Sequence, residues 1–432
     1  MANESTSADN YAFVEDPLAR DATLKELVNG VKTQNALMAQ LVRNGVLDST
    51  MDWNTVKNIV ASGLAQQVFS IGDQFIVNWS DGTTVYPVPL DIVAFGTKRD
   101  RAGNTLPKMT LQWHYTPPFE TTYNARSAFY VAGKGGLIAG TYNVTMGYSQ
   151  GTVVNGKSYQ FTLTKALPEG GQLLGFFGAW DNNPANWKVY SCTSATATAI
   201  TETVSVTEGS GGTNLGTFLS NKPNGDLNSL QRCAYGSNNP DNSDIFQYLN
   251  SDAAKFGDVW KPRDKFDHVP CAPFADGPLN DRQGFLKGFS DDFLSVIGGL
   301  RVDTCTNHTC DGGTSNEPNI VTCYPKFYLP SLEEMNIVCN EASVNGKEGE
   351  VWPYNRLASG SNTRLPLWQT FPQMRSYAIN AKTSPQSVFL RSPYRDDACF
   401  VFCVYSSGAL YGAGACVGFR VRPACDIVGI KE

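Results

Sequence analysis

Three histidines in a chain of 432 residues limit the acid–base and metal chemistry available to it. His114 stands between Trp113 and Tyr115 in a strand-like run, where a satisfied structural histidine is the plain reading. His268 follows Phe266-Asp267 in a proline-rich stretch with no nucleophile elbow beside it, so spacing supports no Ser–His–Asp grouping. The adjacent carboxylates Asp291-Asp292 and Asp396-Asp397 read as solvated or structural, although acidic residues are numerous enough to leave a glycosidase pair open. The one metal-like cluster is Cys305-Thr306-Asn307-His308-Thr309-Cys310, with Cys323 beyond it. Three thiolates and an imidazole would suit tetrahedral zinc. The tight Cys-x-x-Cys knuckle is missing, and a surface loop with incidental thiols or a Cys305–Cys310 disulfide are the alternatives. Cys399 and Cys403 share a face of an apolar run and lie about 13 Å apart if it is extended. Bridged Cα atoms lie within about 7 Å, so a local disulfide there is not expected. No metal or cofactor is assigned, and the expectation is a protein that is not an enzyme.

Strands must position most of these residues. Gly 40, Pro 23 and an aromatic share of 11% favour turns and β-structure. From Phe69 the apolar period is two: Phe75 to Trp79 and Thr83 to Tyr86 flank the turn Ser80-Asp81-Gly82. Short strands follow at Ile92, Met109, Ala128, Gly140, Ser158, Gln172, Trp187 and Ile200, with Asn155-Gly156 as the clearest hairpin turn. This is the pattern of an antiparallel β-sandwich or jelly roll. Before it, Asp21 caps a helix with Leu24, Leu27, Val31, Met38 and Leu41 at three and four spacing, the seam of a short coiled coil for oligomerisation. A second helix runs from Trp53 to about Val68, with Val56, Ile59, Val60 and Leu64 on one face. Glu208 to Thr213 is flexible and free of apolar residues, and so reads as a linker. The pattern beyond it is mixed, with Ser331 and Glu334 at capping-box positions.

The expected layout is a multidomain, β-rich chain. Residues 1–68 form an arm and helical docking segment, 69–207 a β-sandwich, 208–224 a linker, and 225–432 an α+β domain. A net charge of −6 argues against nucleic acid, whose phosphates need a basic face. No apolar run reaches the roughly 18–20 residues of a membrane span. Met1 to Thr6 lacks the charged and apolar regions of a signal peptide, so synthesis and folding in a cytoplasm are expected. Eleven dispersed cysteines read as free buried thiols.

Near the C-terminus an apolar run from Ala398 to Tyr405, a Ser406-Ser407-Gly408 turn and a final segment suggest a hairpin. Phe419 and Val421 would face one side of a last strand and Arg420 and Arg422 the other, with Pro423 ending the ladder. Phe400, Phe402 and Val404 would form one buried face, which would turn Cys399, Val401, Cys403 and Tyr405 to the other side.

Leu329-Pro330-Ser331-Leu332-Glu333-Glu334-Met335, Phe389-Leu390-Arg391-Ser392-Pro393 and Phe419-Arg420-Val421-Arg422-Pro423-Ala424 occur in that order. Over roughly residues 225 to 432 the chain resembles C-type-lectin-fold domains of the kind shared with formylglycine-generating-enzyme-like folds. Such domains are common at the ends of phage and prophage virion proteins. More loosely, Phe69-Ser70-Ile71-Gly72-Asp73-Gln74 and Leu111-Gln112-Trp113-His114-Tyr115 resemble the front of gut-phage structural proteins. The resemblance implies a virion fibre or spike adhesin, made in the host cytoplasm and probing a host cell-surface receptor, either glycan or protein. It implies a homo-oligomer, a trimer, joined to other virion proteins through its N-terminus. A capsid decoration or head-fibre protein is the alternative within that class. A surface glycan hydrolase or a formylglycine-type oxidase using paired C-terminal thiols is the alternative outside it.

In virion relatives of this fold the last strands and loops form an exposed binding face, which in some is diversified by a retroelement. Asp396 to Cys416 is rich in the residue types such mutagenesis yields. The candidates for ligand contact are Tyr394, Arg395, Asp396, Asp397, Cys399, Tyr405 and Tyr411. Tyrosine and arginine combine large contact area with directed polar groups, and an aromatic beside Asp suits a sugar ring.

Overall fold

The computed structural model describes residues 52–123, 128–131, 138–146, 154–163, 173–176, 190–192, 197–199, 204–219, 230–231, 240, 243–259, 279, 281–306, 319–337, 347–355, 376–393, 400–415 and 417–429. The Leu24 to Leu41 seam lies outside them.

Asp52 opens helix α1 (Trp53–Ala61), its carboxylate accepting the Asn54 N–H at 3.1 Å and so satisfying one otherwise orphaned donor. Trp53, Val56 and Val60 are buried along one face. The helix expected to run on to Val68 instead stops at Gly63, whose φ of +74° leaves the right-handed helical region. A separate turn of helix follows at Ala65–Val68, and Leu64 is exposed between the two.

Strand β1 (Gln74–Ser80) alternates exposed and buried residues, turning Phe75, Val77 and Trp79 inward. It pairs with β2 (Val85–Arg99) around the expected turn. Asp81 closes that turn by accepting the N–H groups of Thr83 and Thr84 at 2.9 and 2.8 Å, and Gly82 supplies a φ of +97°. β2 runs on past Ile92 and pairs with β3 (Thr105–Trp113).

The fourth strand of this sheet is Ala424–Val428, antiparallel to β3 with Ala424 opposite Gln112 and Val428 opposite Lys108. The last strand thus begins just after Pro423. Phe419 and Arg420 make only isolated bridges, to Thr121 and Val388, and Val421 and Arg422 are both buried. Proline ends no ladder here; its carbonyl accepts the Trp113 N–H at 3.0 Å and leads the chain into the strand.

The sheet therefore draws strands from both sides of the expected 208–224 boundary. Its inner face shares one aromatic core with later segments. Trp79 donates its indole N–H to the Phe285 carbonyl at 3.0 Å, Trp113 lies 5.2 Å from Phe285, and Phe289 stacks on Phe327 at 5.1 Å. Helix α1 meets the same core through Trp53 on Phe293, 4.7 Å apart.

Between these parts in sequence the chain forms a five-stranded sheet in the order Val204–Glu208, Ser158–Leu163, Gly140–Met146, Thr213–Leu219, Leu230–Gln231. The first three are antiparallel, and Thr213–Leu219 is parallel to Gly140–Met146. Glu208 to Thr213 joins two strands of this one sheet. Gly212 lies so close to the chain that a Cβ would stand 2.2 Å from the Thr141 carbonyl oxygen. Leu230–Gln231 is a short strand at the edge of this sheet. The fold is β-rich, with several sheets and short helices.

Candidate functional site

The three motifs that carry the family resemblance meet in the interior. Strand Val388–Pro393 is buried at every position and delivers Arg391, 1% exposed, between two turns. Its guanidinium donates to Glu334 at 2.5 Å, to the Leu329 carbonyl at 2.8 Å and to the Glu348 carbonyl. Ser331 and Glu334 make the reciprocal capping-box contacts, each 3.1 Å, within a single turn rather than a helix. Ser392 donates to the Glu348 carboxyl and accepts the Leu332 N–H at 2.9 Å. Burial opposes charge on Arg391, but Glu334 and Glu348 outweigh it and hold its pKa above the ordinary value. Burial pushes Glu348 up to about 7, against the opposing pull of Arg391 and the Ser392 hydroxyl.

The third motif makes a second lock. Arg422 donates to the Trp113 carbonyl at 2.9 Å and lies 3.6 Å from the buried Asp91. Asp91 also accepts from Gln74 at 2.7 Å and pairs with His114 at 2.9 Å, so His114 is the hydrogen-bonded structural histidine expected. Beside it, Asp426 of the last strand takes Lys98 at 2.8 Å, Thr110 at 2.6 Å and, more distantly, Lys108 at 3.6 Å. Burial alone would raise the Asp426 pKa; the two lysines reverse this and hold it well below the usual carboxylate range. These motif residues spend their donors and acceptors inside the protein. They hold the fold rather than face a ligand.

Strand Phe400–Val404 lies between Val388–Pro393 and Leu410–Gly414. Val401 and Cys403 enter the main core, while Phe402 and Val404 pack on a second cluster with Leu332, Met335 and Leu390. Both faces are buried, so the expectation that Val401 and Cys403 turn away from the core is corrected. Burial raises the Cys403 thiol pKa, and its sulfur donates to the Tyr411 carbonyl at 3.3 Å. Such a thiol is unsuited to thiolate chemistry.

The turn after this strand leads to the surface. Tyr405 N–H bonds the Ala409 carbonyl and Gly408 N–H bonds the Tyr405 carbonyl, both 2.8 Å, with Gly408 at φ +85°. Register sets Tyr411 opposite Cys403, so Tyr405, two residues on, is its diagonal neighbour on the same side. The two rings stack with centroids 4.7 Å apart and planes at 20°. Phe419 meets Tyr405 edge-on at 5.7 Å, Phe389 lies 5.2 Å from Phe419, and Tyr123 lies 5.7 Å from Phe389. An aromatic ladder thus runs from the core to Tyr411, which is 54% exposed. Val417 is exposed too, as are Ser406 and Ser407 in the turn.

Of the residues expected to touch a ligand, Tyr405 and Tyr411 are brought together; Tyr394, Arg395, Asp396, Asp397 and Cys399 lie outside the described residues. Cys305 and Cys323 belong to one hairpin but stand opposite Ile320 and Val302 respectively, three residues apart along the ladder. That is about 10 Å and on opposite faces, too far for both to hold one zinc ion at about 2.3 Å each. His308 and Cys310 are outside the described residues, among which no group of three or more metal-ligating side chains occurs.

Sequence reasoning missed a cleft of about 240 Å³ between the end of β2, the start of Val302–Thr306 and residues 348–353. Lys98, Lys108, Glu334, Glu348 and Arg391 reach its inner wall. No motif could have flagged it, because its walls come from six separate stretches of chain.

Residues 217–429, just under half of the chain, match a family described as a domain of unknown function (DUF6273). The match begins within the five-stranded sheet and omits α1 and β1 to β3, of which β3 is the partner of the last strand. No curated protein and no solved structure matches the chain.

Proposed function

We propose that this chain is a virion fibre or spike adhesin of a phage or prophage, whose surface around Tyr405 and Tyr411 contacts a host cell-surface glycan or protein. The observation that carries this is the stacked tyrosine pair at the end of a buried aromatic ladder. A 54% exposed Tyr411 on a rigid hairpin offers contact area whose ordering is already complete, which favours binding. The resemblance of the three C-terminal motifs to virion C-type-lectin-fold domains supports it as well. The chain acts as a homotrimer docked to the virion through its N-terminal helix, and avidity compensates for a shallow contact. It needs no cofactor and performs no catalysis.

Immobilised full-length protein should retain cell-envelope material from a host strain. Loss of retention after periodate treatment would mark a glycan, and loss after protease a protein receptor. Retention unchanged by Tyr411→Ala would overturn the reading.

A further inference from the structure

The four-stranded sheet treats its two edges differently. Ala424–Val428 is capped: Tyr328 and Ala424 exchange backbone hydrogen bonds at 2.9 and 2.8 Å, and the Gly298 N–H bonds the Asp426 carbonyl at 2.9 Å. The opposite edge is β1. The Asp73 carbonyl accepts the Ile92 N–H at 2.8 Å and the Asp81 N–H bonds the Thr84 carbonyl at 3.1 Å, so both residues turn their backbone groups to β2. Register between them runs without a bulge. Alternation therefore points the N–H and C=O groups of Phe75, Val77 and Trp79 at β2, and those of Gln74, Ile76 and Asn78 away from it. No strand pairs with that side among the described residues; only Ser80 at its end is taken, its carbonyl accepting the Gln283 amide at 2.7 Å. Edge strands are ordinarily guarded by lysine, proline, a bulge or a covering element. β1 has no charge, no proline and no bulge. Its outer face shows Gln74, Ile76 and Asn78, with Ile76 52% exposed, and Val85 of β2, 62% exposed, continues the same face.

We infer that β1 is a docking edge for a second copy of this chain, the two β1 strands pairing antiparallel about a two-fold axis at Ile76. In that register Ile76 meets Ile76 and Gln74 meets Asn78, and each outward N–H finds an outward carbonyl on the partner strand. The side chains match as well: apolar on apolar at the axis, and amide beside amide at Gln74 and Asn78. No like charges are brought together, because Asp73 falls opposite Trp79. A second β1 suits the edge better than a loose peptide does. Its Phe75, Val77 and Trp79 are already buried in its own core, so its backbone is ordered before it docks and needs no further cover. A two-fold contact uses the same patch on both chains, so it joins chains of two different trimers rather than chains within one. It is independent of the adhesin reading, since Tyr405 and Tyr411 belong to other elements.

Sedimentation of the full chain across micromolar concentrations tests this. Wild type should reach twice the mass of Ile76→Lys, a variant that sets two ammonium groups face to face at the axis and should weaken the association about tenfold or more. Asn78→Pro removes one outward N–H without adding charge, at an edge position where proline is tolerated, and should weaken it too. Ile76→Cys gives a positive readout. Residues facing each other in a hydrogen-bonded pair have Cα atoms about 5.5 Å apart, within the span of a disulfide. Mild oxidation should link Ile76→Cys chains into dimers on denaturing electrophoresis, and should leave Val85→Cys chains, exposed but away from the axis, unlinked. A wild-type mass equal to that of Ile76→Lys at every concentration would overturn the inference. So would equal crosslinking of the two cysteine variants.

Discussion

Arg391 donates to Glu334 at 2.5 Å inside the protein, each side chain no more than 3% exposed. The pair ties the strand that precedes the Tyr405 hairpin to the turn at 332–336. Through the Glu348 carbonyl it also fixes one wall of the cleft. A buried ion pair adds little over an apolar substitute, but breaking one partner leaves a stranded charge. Arg391→Ala should therefore cost about 3–5 kcal/mol, read as a lower urea midpoint at unchanged slope. A loss below about 1 kcal/mol, the range of an exposed pair, would mean that the network is not formed.

Glu348 sets a dependence on pH. Its folded pKa, about 7, lies above its ordinary value, so the folded state binds the proton more tightly. The associated stability is present in full below the unfolded pKa and is lost as pH rises to about 7. Asp426 acts in the opposite sense, its depressed pKa stabilising the fold above the usual carboxylate range and ceasing to do so in strong acid. The melting temperature should fall as pH rises from 5 towards about 7, and Glu348→Gln should flatten that limb. A limb of equal slope in the variant would assign it to another group.

Gly288 is required by contact rather than by turn geometry. A Cβ there would meet the Ser80 carbonyl oxygen at 2.3 Å and the Trp79 indole nitrogen at 2.4 Å. Gly288→Ala should destabilise by about 1–3 kcal/mol, the usual cost of overpacking, measured by calorimetry. A neutral result would place the Phe285–Gly288 turn further from β1 than the Trp79–Phe285 hydrogen bond requires.

Removing the last strand should unfold residues far away in sequence. Truncation at 215 strips β3 of its partner Ala424–Val428 and exposes the aromatic core. Such a protein should show slow-exchanging amides lost across β2 and β3, and should expose apolar surface. Normal protection in β3 would show that the first three strands fold alone.

The hairpins were legible because short-range chemistry makes them: Ser80-Asp81-Gly82 and Ser406-Ser407-Gly408 turn where expected, with glycine at positive φ. The capping-box residues Ser331 and Glu334 find each other, although only one turn forms. What the sequence could not reveal is pairing at long range. Nothing local tells Ala424–Val428 to join a strand more than three hundred residues earlier, or separates a linker at Glu208 to Thr213 from a tight connection. The same holds for the site. Alternation along Phe400–Val404 suggested one outward face, but a strand between two apolar clusters buries both. Tyr405 and Tyr411 are neighbours because one lies at the end of that strand and the other on its hairpin partner.

The most direct test of the proposed adhesive face compares labelled wild type with Tyr411→Ala on a panel of gut bacterial cells, both as full chains. Tyr411 is half-exposed but stacks on Tyr405, so its loss should cost no more than about 0.5–1.5 kcal/mol, the worth of one aromatic pair. It should weaken cell binding about tenfold or more, as removal of an interface hot spot does. Equal binding by the two proteins, or a large fall in melting temperature for the variant, would contradict the account.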